Sequence, residues 1–274
     1  LNKESSERRL FSGDADEADL NWSFGSASVR LQRSPNRENG SEDAIAVLPI
    51  GDNGVVLAVA DGVGGSPGGR EAALTALEML RLGVGFVRNG ELPPAIFASL
   101  ETANQRLIEQ RQGSGTTIVI AEIVDDKLRT YHVGDSEVLV VGQRGRIKHR
   151  VVPHSPTGFA VESGLISEDE AMHHEYRHIL LNVVGAPNMR IEVSAPIELA
   201  AHDTVVLASD GLLDNLYMSE IVETARCGPL PEKADKLAAM AAERMSTQDE
   251  KLPSKPDDLS IVLYRRNYKK RSKN

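Results

Sequence analysis

The sequence predicts an α+β fold built on mostly antiparallel sheet, and three observations carry that expectation. Short β-branched runs bounded by Gly, Asp or Asn cluster in the middle of the chain. Three long segments repeat apolar residues at helical spacing. Helices fall as pairs and singles between groups of strand runs, without the regular alternation of a parallel doubly wound sheet.

Taken in chain order, residues 1–22 are mostly charged or small and lack the apolar core of a signal peptide, so they are expected to form a flexible acidic tail. Asp14, Asp16 and Asp19 faintly resemble a calcium loop there, but the glycine and closing glutamate of that motif are missing. Strand runs follow at 27–32, 44–49 and 55–60, then helical patterns at 70–88 and 94–111. Four more strand runs lie at 116–124, 128–133, 137–142 and 147–152. The pattern turns irregular and polar over 154–185, which reads as a surface flap. Strands at 190–193 and 204–208, a short helix at 219–226, a helix at 232–245 after Pro231 and a strand at 259–265 complete the series. No linker divides 23–266, so one domain is expected, followed by a basic tail at 267–274.

The 274 residues are 41% hydrophobic and carry a net charge of −9. That charge argues against nucleic acid or an anionic membrane as partner and favours cations. No apolar run approaches the roughly 20 residues of a spanning helix. The lone Cys227 excludes an intrachain disulfide and fits a reducing compartment, so a cytoplasmic location is expected; a monomer is the accompanying expectation.

Two stretches echo each other: "VVLAVADG" ends on Asp61 and Gly62, "VVLASDG" on Asp210 and Gly211. A third, "DDLSIVLYRR", begins at Asp257 and is the same object reversed. A strand delivers its terminal side chain to the rim of a sheet, and a following glycine allows a sharp turn. If the three strands are neighbours, their carboxylates converge. Two bare carboxylates about 4 Å apart repel by roughly 4 kcal/mol at an effective dielectric of 20, so such a cluster calls for cations. Oxygen ligands without nearby Cys or His select Mg²⁺ or Mn²⁺ over Zn²⁺. Glu42, Asp43, Asp135 and Asp214 lie at further strand edges or one helical turn beyond Asp210. So many carboxylates point to more than one metal, and a metal pair suits phosphate-ester hydrolysis.

The ordered set "SEDAIAV", "VADGVGG", "GSGTT", "HVGDSEVLVV", "LASDGLLDN" and "DDLSIVL" resembles the motifs of the metal-dependent Ser/Thr protein phosphatases of type 2C, spanning about residues 28–266. The segment "VESGLISEDEAMHHEYRHILLNVVG" resembles the flap of bacterial members. The resemblance implies a central antiparallel β-sandwich with helices on both outer faces, and a binuclear Mn²⁺ or Mg²⁺ site at one end. Carried over by position, Asp61 would bridge the two ions, with the carbonyl of Gly62 helping one of them. Asp210 and Asp257 would hold the other ion, and Glu42 and Asp43 would act through waters. Asp135 and Asp214 match positions that hold a third, weaker metal in some relatives. A metal-bridged hydroxide would attack phosphorus in line, without a phosphoenzyme. The implied partners are phosphoproteins bearing phosphoserine or phosphothreonine, made by a cognate Ser/Thr kinase.

Three features depart from that pattern. Many eukaryotic members carry histidine after the Asp-Gly pair, where Val63 stands here. The phosphate-binding arginine has two candidates, Arg37 and Arg33, at spacings that do not fit cleanly, with Arg37 preferred. Asp258 stands where many members have asparagine, a change not expected to abolish metal binding.

Two other function classes compete. "HEYRH" at His174–His178 is a literal H-E-x-x-H, which on a helix would make a zinc protease, with Glu175 as base and Glu192, Glu198 or His202 as third ligand. Its polar flanks favour a surface segment. A phosphoprotein-binding pseudophosphatase is the other, disfavoured because every principal ligand position is acidic. The run "GVGGSPGGREA" lacks the lysine of a phosphate-binding loop and reads as a tight turn before a helix.

Overall fold

The computed structural model describes residues 7–63, 68–87, 92–111, 113–247 and 252–267. The glycine-rich turn at 64–67 and the basic segment 268–274 lie outside the described residues.

Two antiparallel sheets stack face to face. The first runs β1 (Arg9–Phe11), β4 (Ala44–Ile50), β5 (Gly54–Ala60), β8 (Ile118–Val124), β9 (Lys127–Val133) and β12 (Glu192–Val193), with β13 (Ile197–Glu198) also on β9. The second runs β11 (Ile147–Arg150), β10 (Glu137–Val141), β14 (Thr204–Ala208), β15 (Leu259–Arg266), β3 (Gly25–Gln32) and β2 (Ala15–Asn21). A small ribbon pairs β6 (Gly62–Val63) with β7 (Gly115–Thr116).

Strand alternation assigns each side chain to a layer. Along β5, Val55, Leu57 and Val59 enter the core between the sheets, while Val56, Ala58 and Ala60 face outward. On that outer face lie α1 (Gly68–Gly85) and α2 (Leu92–Gln110), packing Leu77, Leu80, Ile96 and Leu100. Along β14, Val205 and Leu207 point in, while Val206 and Ala208 meet α5 (Asp210–Leu213), α6 (Met218–Ala225) and α7 (Leu230–Thr247). Three apolar cores thus separate four layers, helix, sheet, sheet, helix, as the resemblance implied. No helix among the described residues is long and apolar enough to cross a membrane.

Two expectations are corrected. The segment read as a flexible tail holds β1 and β2, the latter paired along its whole length with β3. Its charge belongs to the exposed side of an edge strand, where acidic residues discourage further pairing. Asp19 also serves the buried Arg30, at 3.2 Å, with Asp235 of α7 at 2.5 Å. The flap contains two short helices, α3 (Pro156–Glu162) and α4 (Glu168–Met172). Ser155 caps the first, and Ser167 and Glu170 form a reciprocal capping box on the second.

Candidate metal centre

Register alone brings the carboxylates to one end of the sandwich. Ala44 faces Ala60, so Asp43 before β4 and Asp61 after β5 share a rim. Ala208 faces Ile261, and Glu137 faces Ala208, so Asp210, Asp257 and Asp135 share the matching rim of the other sheet. The two rims meet. Burial pushes the Asp61 carboxyl well above the usual range, and Asp43, Asp210, Asp257 and Asp135 push it further. Burial likewise raises Asp43 and Asp135, and Asp257 is pushed up to about 6 by burial and by Asp210. A ring of carboxyls that resists losing its protons is a ring short of positive charge.

The donor set fits divalent cations. Both side-chain oxygens of Asp43 and Oδ1 of Asp210 are buried without a hydrogen-bond partner. Such oxygens are costly unless a cation or water meets them. Asp214 follows Asp210 by one turn of α5 and lies in the same field.

The glycines after Asp61 and Asp210 serve close approach. A Cβ on Gly62 would stand 2.3 Å from the backbone of Gly69, and one on Gly211 would stand 1.9 Å from the carbonyl oxygen of Asp258. Neither residue has the left-handed φ that a glycine-only turn would need. The repeated Asp-Gly therefore marks places where a second segment of backbone is pressed against a strand end.

The two arginines separate. Arg33 turns away to the carbonyl of Glu38 at 2.7 Å, with Asp14 at 3.9 Å. Arg37 reaches the site, its Nη1 2.7 Å from Glu42 Oε2 and its Nε 3.2 Å from Asp258 Oδ2. Asp258 is buried and accepts the backbone N–H groups of Ser34 and Glu42, each at 2.7 Å. It builds the loop that carries Arg37, a role that no local signal in the sequence announces.

Lys255 was also missed. Its Nζ donates to Asp210 Oδ2, and lies 2.9 Å from Asp214 Oδ2 and 3.3 Å from Asp257 Oδ2. Beside the ring opens a cavity of about 290 Å³, walled by flap residues Val161, Met172 and Arg177 and by Asp135, Asp210 and Asp214.

The H-E-x-x-H reading is corrected. Residues 173–178 form turns, not a helix, and the N–H of Tyr176 donates to His174 Nδ1 at 3.1 Å. Arg177, rather than either histidine, lines the cavity. Glu192, one of the suggested third ligands, instead joins His132 and His154, the one group of three such side chains with ligand atoms all within 4.8 Å among the described residues. Hydrogen bonding makes that trio a poor metal site. His154 Nδ1 accepts the N–H of Gly134 at 3.0 Å, so its proton sits on Nε2, 3.4 Å from Glu192 Oε1, and blocks ligation there.

The protein phosphatase 2C family model matches residues 36–252. The serine/threonine phosphatase stp of Listeria monocytogenes is 28% identical over 223 residues, 76% of this chain and 86% of that protein. Among solved structures, the serine/threonine phosphatase of S. agalactiae aligns with a TM-score of 0.74 and 26% identity, covering 87% of this chain and 98% of that one. A catalytic domain of the phosphatase PstP, solved with two manganese ions, aligns with a TM-score of 0.74 at 22% identity, covering 89% and 99%.

Proposed function

The chain belongs to the protein phosphatase 2C family, and from that premise we propose that it removes phosphate from phosphoserine and phosphothreonine in proteins, using Mn²⁺ or Mg²⁺ held by Asp61, Asp210 and Asp257. It is a metal-dependent serine/threonine phosphoprotein phosphatase. The observation that carries the assignment of the site is the set of buried carboxylate oxygens on Asp43 and Asp210 that have no hydrogen-bond partner.

When bound, the two divalent ions supply a water of lowered pKa and neutralise charge on the phosphoryl oxygens. The chain's own groups then divide the work. Asp61, from one sheet, and Asp210 and Asp257, from the other, would hold the ions, with the carbonyl of Gly62 assisting. Asp43 and Glu42 would act on the ions through waters. Arg37 holds the phosphate dianion with N–H donors left free by Glu42 and Asp258, which fix the plane of its guanidinium. Asp135 and Asp214 would offer a weaker outer position for a third cation. The flap, through Arg177 and the cavity it walls, receives the chain on which the phosphate is carried, a phosphoprotein made by a cognate kinase.

The test is hydrolysis of p-nitrophenyl phosphate and a phosphothreonine peptide after chelation, with Mn²⁺, Mg²⁺ and Zn²⁺ restored separately and casein cleavage followed in parallel. Phosphate release should return with Mn²⁺ or Mg²⁺ and be lost in a folded Asp210→Ala variant. No release with either ion, or full activity in that variant, would overturn the assignment.

A further inference from the structure

Lys255 occupies a position that a flexible surface lysine does not reach by accident. The buried Asn215 pins the lysine's backbone from both sides, its Oδ1 accepting the Lys255 N–H at 2.8 Å and its Nδ2 donating to the Lys255 carbonyl at 2.8 Å. The same Nδ2 donates to the carbonyl of Gly211 at 2.9 Å, so α5 and the 252–258 segment are tied into one unit. That unit carries Asp210, Asp214, Asp257 and the ammonium among them. Ser254 adds a hydrogen bond to the carbonyl of Arg244 at 2.8 Å, anchoring the segment to α7.

The geometry points to Lys255 as a tethered cation that competes with divalent metal for Asp210, Asp214 and Asp257, and so sets the metal concentration the phosphatase needs. This rests on the reading of the carboxylate ring as the metal site. An ammonium against three carboxylates satisfies in part the demand for positive charge that burial creates. A divalent ion binding the same oxygens must displace it or share them. Lys255 has an exit, since about a quarter of its side chain is exposed, 24%. Its four-carbon stem lets the charge swing to water while the pinned backbone stays in place. The apparent metal affinity is then the intrinsic affinity scaled by the fraction of molecules with the lysine withdrawn. Oxygen coordination would be complete only in that fraction. The same ammonium would hold the acidic cluster together in metal-free protein.

The experiment compares wild type with Lys255→Met, which keeps the stem and removes the charge, and Lys255→Arg, which keeps the charge. Mn²⁺ binding to chelator-treated protein is measured by titration calorimetry at fixed ionic strength, and thermal melting is recorded in chelator and in saturating Mn²⁺. Lys255→Met should bind its most weakly held Mn²⁺ about tenfold tighter or more, within the usual span of a coupling between sites, with Lys255→Arg remaining near wild type. It should melt earlier than wild type in chelator, and Mn²⁺ should close the gap. Equal or weaker Mn²⁺ binding by Lys255→Met overturns the inference. So does a Lys255→Met protein that is unfolded in chelator and not restored by Mn²⁺, because the ammonium would then do something the metal cannot replace. Absence of Mn²⁺ binding by the wild type would instead defeat the proposed function, leaving the two failures distinguishable.

Discussion

Replacing Gly211 by alanine sets two physical effects against each other. Gly211 lies in α5, and helix propensity alone makes alanine better there by about 1 kcal/mol. Its new Cβ, however, would stand 1.9 Å from the carbonyl oxygen of Asp258 and 2.8 Å from that carbonyl's carbon. The start of β15 must retreat by roughly 1 Å or more before such a contact reaches ordinary separation. Overpacking of this kind costs about 1 to 3 kcal/mol, so the collision outweighs propensity and the melting temperature should fall by a few degrees. The larger effect should be functional. Asp257 moves with Asp258, and a displacement of about 1 Å at a reacting centre can lower the rate by about 10²-fold. Differential scanning calorimetry, together with initial rates of p-nitrophenyl phosphate hydrolysis across a Mn²⁺ titration, reads both. A Gly211→Ala protein that is more stable than wild type with the same Mn²⁺ dependence would refute the close-approach account of the Asp-Gly repeat.

Three further outcomes are expected. Arg37→Lys should lower kcat/KM about tenfold or more, because an ammonium cannot bond Glu42, Asp258 and a phosphate in one plane; steady-state kinetics within about twofold of wild type would remove Arg37 from phosphate binding. Asp258→Asn should cost about 1 to 3 kcal/mol while preserving stimulation by Mn²⁺, since its amide nitrogen must face one of the two N–H donors, Ser34 or Glu42; an unchanged denaturation midpoint would contradict this. His132 is held at about 4 by burial, with His154 adding to the shift, so the unfolded chain takes up a proton first as pH falls. The histidine's contribution is therefore complete above about pH 6.5 and lost toward about 4, a loss of about 2 kcal/mol by pH 5, and Mn²⁺-saturated His132→Phe should show a shallower acid-side decline than wild type; parallel curves would sink the idea.

What the sequence made legible follows from which signals are local. Each of the runs ending at Asp61 and Asp210, and the run beginning after Asp257, is a buried strand with its carboxylate at the rim, because apolar alternation and a terminal Asp lie within a few residues. Helices α1, α2 and α7 were visible in their spacing. The capping signatures at Ser155-Pro156 and at Ser167 to Glu170 were present but were overshadowed by the polarity around them. β2 was hidden because "ADEADLN" exposes its charges on an edge and buries only Leu20. Lys255, Asn215 and Asp258 were invisible for a different reason. The partners of Lys255, at Asp210 and Asn215, and those of Asp258, at Ser34 and Glu42, become neighbours only when β15 enters the sheet, and nothing in the flanks of these residues records that.

The strand order has a consequence for how the molecule is made. β15 lies between β14 and β3, the last described strand inserted beside one of the earliest. Until Leu259–Arg266 has left the ribosome, β3 and β14 present facing bare edges, and neither Asp257 nor the Asp258 that seats the Arg37 loop is available. Such distant pairing closes late and slowly. A nascent chain therefore carries most of its apolar core before it carries the full carboxylate ring proposed to hold the metals, and on that proposal hydrolytic capacity would arrive only with the closing strand.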